Sequence, residues 1–371
     1  MELDILFPFA TPGGTWNMAT TTPGGLPPAW RAGSFVGRGN LQGVIMALAH
    51  AVHRAPSAPQ KNNMLHLEGG MFRMGSERFY PEEQPVHRVR VDPFLIDRTP
   101  VTNAQFAHFV RATGYVTFAE IPPRAEDYPG ALPEMLYPGS LVFVQPSGPV
   151  PMQLEHWWRF VLGADWRHPT GPGSDLQGLD DHPVVHVTAS DAEAYAAWAG
   201  KRLPTEAEWE FAARGGLDQA EYAWGDFLEP AGHYMANYWQ GRFPHENTAE
   251  DGFERTSPVG SYAPNGYGLV DMIGNTWEWT SDWYRPGHTV EVQKACCVPA
   301  NPRGGCMEQS HDPRAAGPAI PRRVLKGGSH LCAMNYCQRY RPAARYPHPI
   351  DTSTSHIGFR CVADIAPEAS L

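Results

Sequence analysis

The chain has 371 residues, with 29 basic against 39 acidic side chains for a formal net charge of −10, and is 42% hydrophobic but only 18% charged. Glycine and proline, 37 each, make up one residue in five, against about 12% in an average chain; this excludes a helical bundle or regular repeat, while 12 Trp, 14 Tyr and 16 Phe exclude disorder over most of the length. The acidic balance without Lys/Arg runs excludes a nucleic-acid partner, and no apolar stretch approaches the roughly 20 residues that span a bilayer.

Residues 1–63 read as a poorly ordered extension, in which TPGGTWNMATTTPGGLPPAW precedes one short apolar segment, LQGVIMALAHAVH. Glu2 and Asp4 stand where a secretory leader would carry basic residues, so a soluble, cytoplasmic protein is expected. The folded domain is expected over 64–365, with a tail at 366–371. HLEGGMFRMGS predicts a strand and turn. VHRVRVDPFLID predicts one strand, with Val89 and Val91 alternating against Arg88 and Arg90.

Three capping boxes predict helix starts. They are Thr102 with Gln105, Ser190 with Glu193, and Thr205 with Glu208; Gly200 and Gly215 are the expected stops for the second and third. The Pro-rich stretch between Ala119 and His182 reads as one or two inserted surface loops. From Ala220 to Cys361 the pattern is short segments broken by Pro, Gly, Asn and Asp. The expectation is one irregular, loop-rich α+β domain with little regular secondary structure. Irregular backbone on that scale needs fastening, and bound cations are a common means.

The six cysteines, at 296, 297, 306, 332, 337 and 361, all lie in the last quarter, whereas a secreted disulfide scaffold spreads its staples. Cys332 and Cys337 fit neither C-x-x-C redox spacing nor paired zinc spacing. Two thiolates form a soft, low-coordination pair that suits Cu(I). Lys326, Arg339 and Arg341 stand beside them and favour thiolates, and Gly327 and Gly328 permit close backbone approach. From the residues alone this is a thiol site, with a copper pair, a redox pair and a disulfide all open.

The stretch RVLKGGSHLCAMNYC resembles the core of the formylglycine-generating enzymes, or sulfatase-modifying factors. The likeness runs from about Gly69 to Val362 through FRMGS, TPVTNAQFAHFV, HPVVHVTASDAEAYAAWAGKRLPTEAEWEFAARGG, ANYWQGRFP, NGYGLVDMIGNTWEWTSDWY and HIGFRC. It implies a C-type-lectin-like, formylglycine-generating-enzyme fold. It also implies oxidation of a cysteine in a sulfatase C-x-P-x-R segment to Cα-formylglycine, by O₂ and a thiol reductant, in a monomer. By the resemblance, Cys332 and Cys337 hold Cu(I) and the substrate thiolate joins as third sulfur. By the same resemblance, Ser329 and Trp277 match positions near the oxygen pocket, Tyr336 matches the tyrosine beside the cysteine pair, and Arg339 and His356 face the substrate. Ca²⁺ is implied at Asn237, Asp251 and the carbonyls of Tyr238 and Phe253, and at Asp271, Glu278 and the carbonyls of Gly274 and Thr276.

The chain departs from the family pattern at several positions. Cys361 has Ala196 opposite it where secreted animal members have a disulfide partner, and Ala213 and Pro342 replace a second pair, which implies a free buried Cys361 and a reducing compartment. Ala333 stands where many members have histidine and His356 where many have asparagine, and His356 reads equally as a groove residue or a hydrogen-bonded structural histidine. Cys296, Cys297 and Cys306 read as loop thiols without a function. Two other classes compete: a noncatalytic peptide- or ligand-binding module on the same fold, and an iron-dependent sulfoxide synthase, for which the H-x-x-x-H-x-E helix is missing from the sequence.

Overall fold

The computed structural model describes residues 63–128, 132–133, 136–288, 298–315 and 318–365. The expectations for the N-terminal extension, the tail after 365, and Cys296 and Cys297 lie outside the described residues. The strands are short and scattered, and long irregular loops connect them, giving an α+β architecture.

A three-stranded sheet has the order β1 (Met64–Leu67), β4 (Phe94–Asp97), β11 (Val362–Asp364), so the first and last strands flank β4 from either side. β2 (Gly70–Met74) pairs antiparallel with β3 (His87–Val91), placing Val89 opposite Phe72. VHRVRVDPFLID therefore forms two strands, not one. Pro93 offers no N–H to continue the ladder, and β4 departs to pair with β1 and β11. The predicted alternation holds, since Val89 and Val91 are buried and Arg88 and Arg90 exposed.

Helices α1 (Asn103–Thr113) and α3 (Glu206–Arg214) begin at the expected boxes. Thr205 Oγ1 accepts from the Glu208 amide at 3.1 Å, and the Glu208 carboxylate accepts from the Thr205 amide at 2.8 Å. Helix α2 (Ala189–Trp198) starts two residues before the predicted place, with Thr188 as cap and Asp191 as reciprocal partner. Asp191 is fully buried and also takes the Tyr115 hydroxyl and the Phe118 amide. Glu193 instead turns to Arg323 at 2.6 Å. Gly200 and Gly215 take left-handed backbone just past their helices, as expected.

The second sheet has the order β10 (Ile357–Gly358), β7 (Trp277–Trp283), β8 (Arg322–Lys326), β9 (Arg345–Pro349). A buried ion network ties α3 to it. Glu210, with no exposed surface, accepts from Lys326 at 3.0 Å, Arg214 at 2.7 Å and the Gly75 amide at 2.8 Å. Glu206 takes Arg345 through both oxygens, at 2.7 and 2.8 Å.

The stretch between Ala119 and His182 is more than surface loop. It carries an antiparallel pair, β5 (Gly139–Phe143) and β6 (Trp158–Leu162). Strand β5 docks on the chain before β10 through Leu141 N to Ser353 O (3.2 Å) and Ser355 N to Leu141 O (2.9 Å). Behind it, His186 Nδ1 meets Ser140 Oγ at 2.7 Å, and the other ring nitrogen meets Pro169 O.

His186 and His348 are both buried, and burial pushes each imidazole from 6.5 down to about 4. The unfolded chain thus binds more protons than the fold between those values, so stability falls as pH drops from 6.5 toward 4. About 3 kcal/mol per ring is lost by pH 4. Thermal midpoints measured from pH 7 to 4.5 should decline steeply below 6; a flat profile would refute this.

Candidate functional site

Strand β8 ends at Lys326 and the chain enters Gly327 and Gly328, both with positive φ. A Cβ on Gly328 would lie 2.8 Å from the Arg339 carbonyl and the Tyr340 amide. Only glycine lets these two segments of the site lie this close. The next residues fold on themselves. Cys332 N donates to Ser329 O at 2.9 Å, Leu331 N donates to Ser329 Oγ at 3.2 Å, and Cys337 N closes a helical turn on Ala333 O at 2.9 Å. That turn brings the two sulfurs to 3.2 Å. A disulfide bond is about 2.05 Å, so both thiols are free and share a hydrogen bond.

The two sulfurs differ in environment. Cys332 is 2% exposed, and burial, followed by its hydrogen bond with Cys337, pushes its thiol well up. Cys337 is partly exposed and is brought down to about 6, first by the hydrogen bond from Cys332 and then, against burial, by Arg339. One thiolate beside one thiol is the state this geometry favours. Ser329 is buried and its amide points at Cys332 Sγ at 3.4 Å.

Arg339 lies 4.0 Å from Cys337 Sγ, pairs with Glu82 at 2.6 Å, and covers the Tyr80 ring at 3.8 Å. Its charge is thereby directed to the thiol and to Glu82. Arg341, two residues on, makes a bidentate pair with buried Glu83. Adjacent acids on the Pro81–Glu83 turn thus clamp both arginines that follow Cys337.

An aromatic wall stands on the other side. Tyr336 stacks on Phe243 at 4.4 Å and meets Trp157 edge-on at 5.7 Å. Phe243 also packs on Trp239 and Phe143. The Trp239 amide donates to Cys332 O at 3.0 Å, and Ala333 is fully buried against this group. Trp157 Nε1 is buried without a partner. Trp277 is 4% exposed, packs on Tyr346 and donates its amide to the His356 carbonyl. His356 rests on Trp158 at 4.8 Å, with Nδ1 2.6 Å from Thr354 Oγ1. Burial, and then His330, His348 and His186, hold its ring neutral.

Trp157, Trp158, Phe243, Tyr80 and Glu82 were not picked out from sequence. The Trp157-Trp158 dipeptide inside the Pro-rich stretch was the one available signal. The others reach the site through long-range packing.

Of the first expected cation set, Tyr238 and Asp251 are bridged by one side chain, Gln240. Gln240 donates to the Tyr238 carbonyl and accepts from the Asp251 amide, while Asp251 Oδ1 accepts from Phe253 N at 3.0 Å. Asn237 Oδ1 is buried and has no partner. This all-oxygen set with an orphaned carboxamide oxygen fits Ca²⁺. The second set does not fit. Both Glu278 oxygens are held by Arg360 at 2.7–3.0 Å and one by Trp209 Nε1, so a cation there would face a guanidinium. Asp271, pushed up to about 6 by burial, accepts from Gly260 N, and Thr276 Oγ1 is unpartnered. Among the described residues, no group of three or more His, Cys, Asp or Glu could hold a metal unaided, and no helix is long and apolar enough to cross a membrane. Cys361 is free and fully buried, as expected.

Residues 49–365 match the family described as the sulfatase-modifying factor enzyme 1-like domain. The chain is 55% identical to the formylglycine-generating enzyme of Mycobacterium tuberculosis, over 81% of this chain and 97% of that one. It is 39% identical to mouse inactive C-alpha-formylglycine-generating enzyme 2, over 81% and 85%. In structure it is similar to PvdO from Pseudomonas aeruginosa, with a TM-score of 0.51 at 24% identity over 81% and 94%, a likeness of fold alone.

Proposed function

Since the chain belongs to the sulfatase-modifying factor family, we propose that it is an oxidase acting on a sulfur group, converting a cysteine in a sulfatase C-x-P-x-R segment to Cα-formylglycine. The observation that carries this reading is the pair of free thiols 3.2 Å apart, one buried and one partly exposed. The balanced reaction takes the substrate CH₂–SH, O₂ and two external thiols to the aldehyde, H₂S, water and one disulfide. O₂ gains four electrons, two from the substrate carbon and two from the thiols.

Cys332 and Cys337 would hold Cu(I), which when bound supplies a soft centre for the substrate sulfur and for O₂. With no third ligand group nearby among the described residues, an incoming thiolate meets no competing protein side chain. The protein's own residues do the rest. Arg339 stabilises negative charge at Cys337, and Glu82 and Tyr80 fix its guanidinium. Tyr336, Phe243 and Trp157 keep water from one side, and the Ser329 and Trp157 N–H groups stand as donors for developing negative charge. Groove contacts from His356 and Trp158 are neutral, so they favour apolar or amide parts of the peptide over carboxylates. A reducing, cytoplasmic setting suits the free Cys361.

Mass spectrometry of a C-x-P-x-R peptide after incubation with copper-loaded protein, O₂ and a thiol should show the aldehyde. The relative named inactive favours one competing reading, a binding module on the same fold, which predicts a peptide that is bound but unchanged.

Ca²⁺ at Asn237, Tyr238, Asp251 and Phe253 would brace the site. Asn237 O holds the Asn275 amide, Asn275 O holds the His330 amide, and Trp239 holds Cys332. At Ca²⁺ a hundredfold above its dissociation constant, stabilisation is about 2.7 kcal/mol. Adding a chelator should lower the thermal midpoint of the wild type but leave Asn237→Ala unchanged. Equal midpoints with and without Ca²⁺ in the wild type would rule the site out.

A further inference from the structure

The sequence places Tyr340 three residues after Cys337, buried at 2% exposure within the cluster that also contains Cys332. The charge of either sulfur acts on its hydroxyl. From Tyr340 two lines of rings run outward. One passes to Tyr238 at 5.0 Å and then to partly exposed Tyr234 at 5.9 Å. The other passes to Tyr222 at 6.3 Å and then to partly exposed Trp224 at 5.7 Å.

Aromatic clusters ordinarily serve packing, but these phenols carry a second feature. The Tyr238 hydroxyl donates to Glu229 at 2.5 Å and Tyr234 to Glu250 at 2.7 Å, and Glu221 hydrogen-bonds Tyr222. Glu229 and Glu250 are exposed. A phenol that loses an electron becomes a strong acid and must shed its proton, and a carboxylate already in hydrogen-bond contact accepts it without rearrangement.

We propose that Tyr340 is the inner junction of a branched relay, through Tyr238 to Tyr234 and through Tyr222 to Trp224, that carries single electrons from a thiol reductant at the surface to the cysteine pair. Its use in catalysis rests on the oxidase reading, in which the two external electrons must arrive while peptide covers the pair. An electron deficit at the pair is filled from Tyr340, which Tyr238 refills before the Tyr340 proton leaves; Tyr238 lends its own proton to Glu229 until Tyr234 refills it. As its electron leaves, Tyr234 gives its proton to Glu250. An external thiol then returns a hydrogen atom to the Tyr234 phenoxyl and becomes a thiyl radical; two thiyl radicals combine to a disulfide, and Glu250 releases its proton to solvent.

The relay can be driven in reverse in metal-free, full-length protein. Azide radicals from anaerobic pulse radiolysis oxidise surface tyrosine and tryptophan, and the deficit runs inward to the thiols. Phenoxyl absorption should decay in a first-order phase, independent of protein concentration, matched by the rise of the disulfide radical anion of Cys332 and Cys337. Cys332→Ser must abolish that rise, and Tyr340→Phe should abolish it too. If circular dichroism shows Tyr340→Phe misfolded, the Tyr222→Phe/Tyr238→Phe double variant replaces it, with the same expected loss. An unchanged rise in the folded variant, or none in the wild type, overturns the relay. Neither copper nor peptide is used, so this outcome and that of the peptide assay fail independently.

Discussion

Replacing either Cys332 or Cys337 with serine is expected to abolish formylglycine formation, lowering turnover by at least about a thousandfold, as removal of a reacting group does elsewhere. The reason is the economy of the site. No third His, Cys, Asp or Glu among the described residues stands ready to replace a missing sulfur. Serine is a hard, neutral oxygen that does not hold Cu(I). It is also nearly the size of cysteine, and at position 332 its oxygen can still accept from the Ser329 amide, now 3.4 Å from the sulfur. The fold should therefore survive, and the two losses should travel together: no aldehyde by mass spectrometry and no Cu(I) retained on a desalting column. Turnover persisting in either variant would remove the pair from the chemistry. Copper kept by both variants would place the metal elsewhere.

Glu210→Gln should be the most destabilising conservative change in the buried network that ties α3 to the second sheet. Glu210 and Lys326 have no exposed surface, and Arg214 is 4% exposed. Burial alone would raise the Glu210 carboxyl, but Lys326 and Arg214 outweigh it and bring it to about 2. Glutamine keeps the shape and removes the charge, leaving two buried cations short of their partner. Breaking a buried pair this way costs about 3–5 kcal/mol, or roughly 6–10 °C in midpoint for a chain of this size. The damage should spread to function, because Lys326 leads directly into Gly327, Gly328 and Ser329. Denaturant unfolding measures the stability loss; a change below about 1 kcal/mol would mean that Glu206, 3.8 Å from Lys326, takes over the charge.

How much of this was legible in the chain depends on the range of the interaction. The boxes at Thr102 and Thr205 are contacts between residues three apart, and both were readable. The box expected at Ser190 forms two residues earlier, at Thr188 with Asp191, because Asp191 also takes Tyr115 and Phe118, some seventy residues away. The continuous strand expected over VHRVRVDPFLID failed for a related reason. Pro93 marks the break, but the separate partners of β3 and β4 lie elsewhere in the chain. The stretch after Ala119 read as surface loop because proline obscures short strands, and the dock on Ser353 and Ser355 supplies the order that local propensity lacks.

The site divides the same way. The sequence by itself determined the thiol pair, its glycine entry and its flanking arginines, because the spacing of five lets one helical turn bring the sulfurs together. The oxygen-rich loop at Asn237 and the unpaired Cys361 were implied only by the family resemblance. Only the tertiary structure decided which sulfur is exposed, that Glu82 and Glu83 clamp the arginines, that Trp157 and Phe243 wall the pocket, and that Arg360 occupies Glu278. Each of these is a contact between segments tens to hundreds of residues apart, whose energy depends on burial and on the partner that arrives, and neither quantity is written in local sequence.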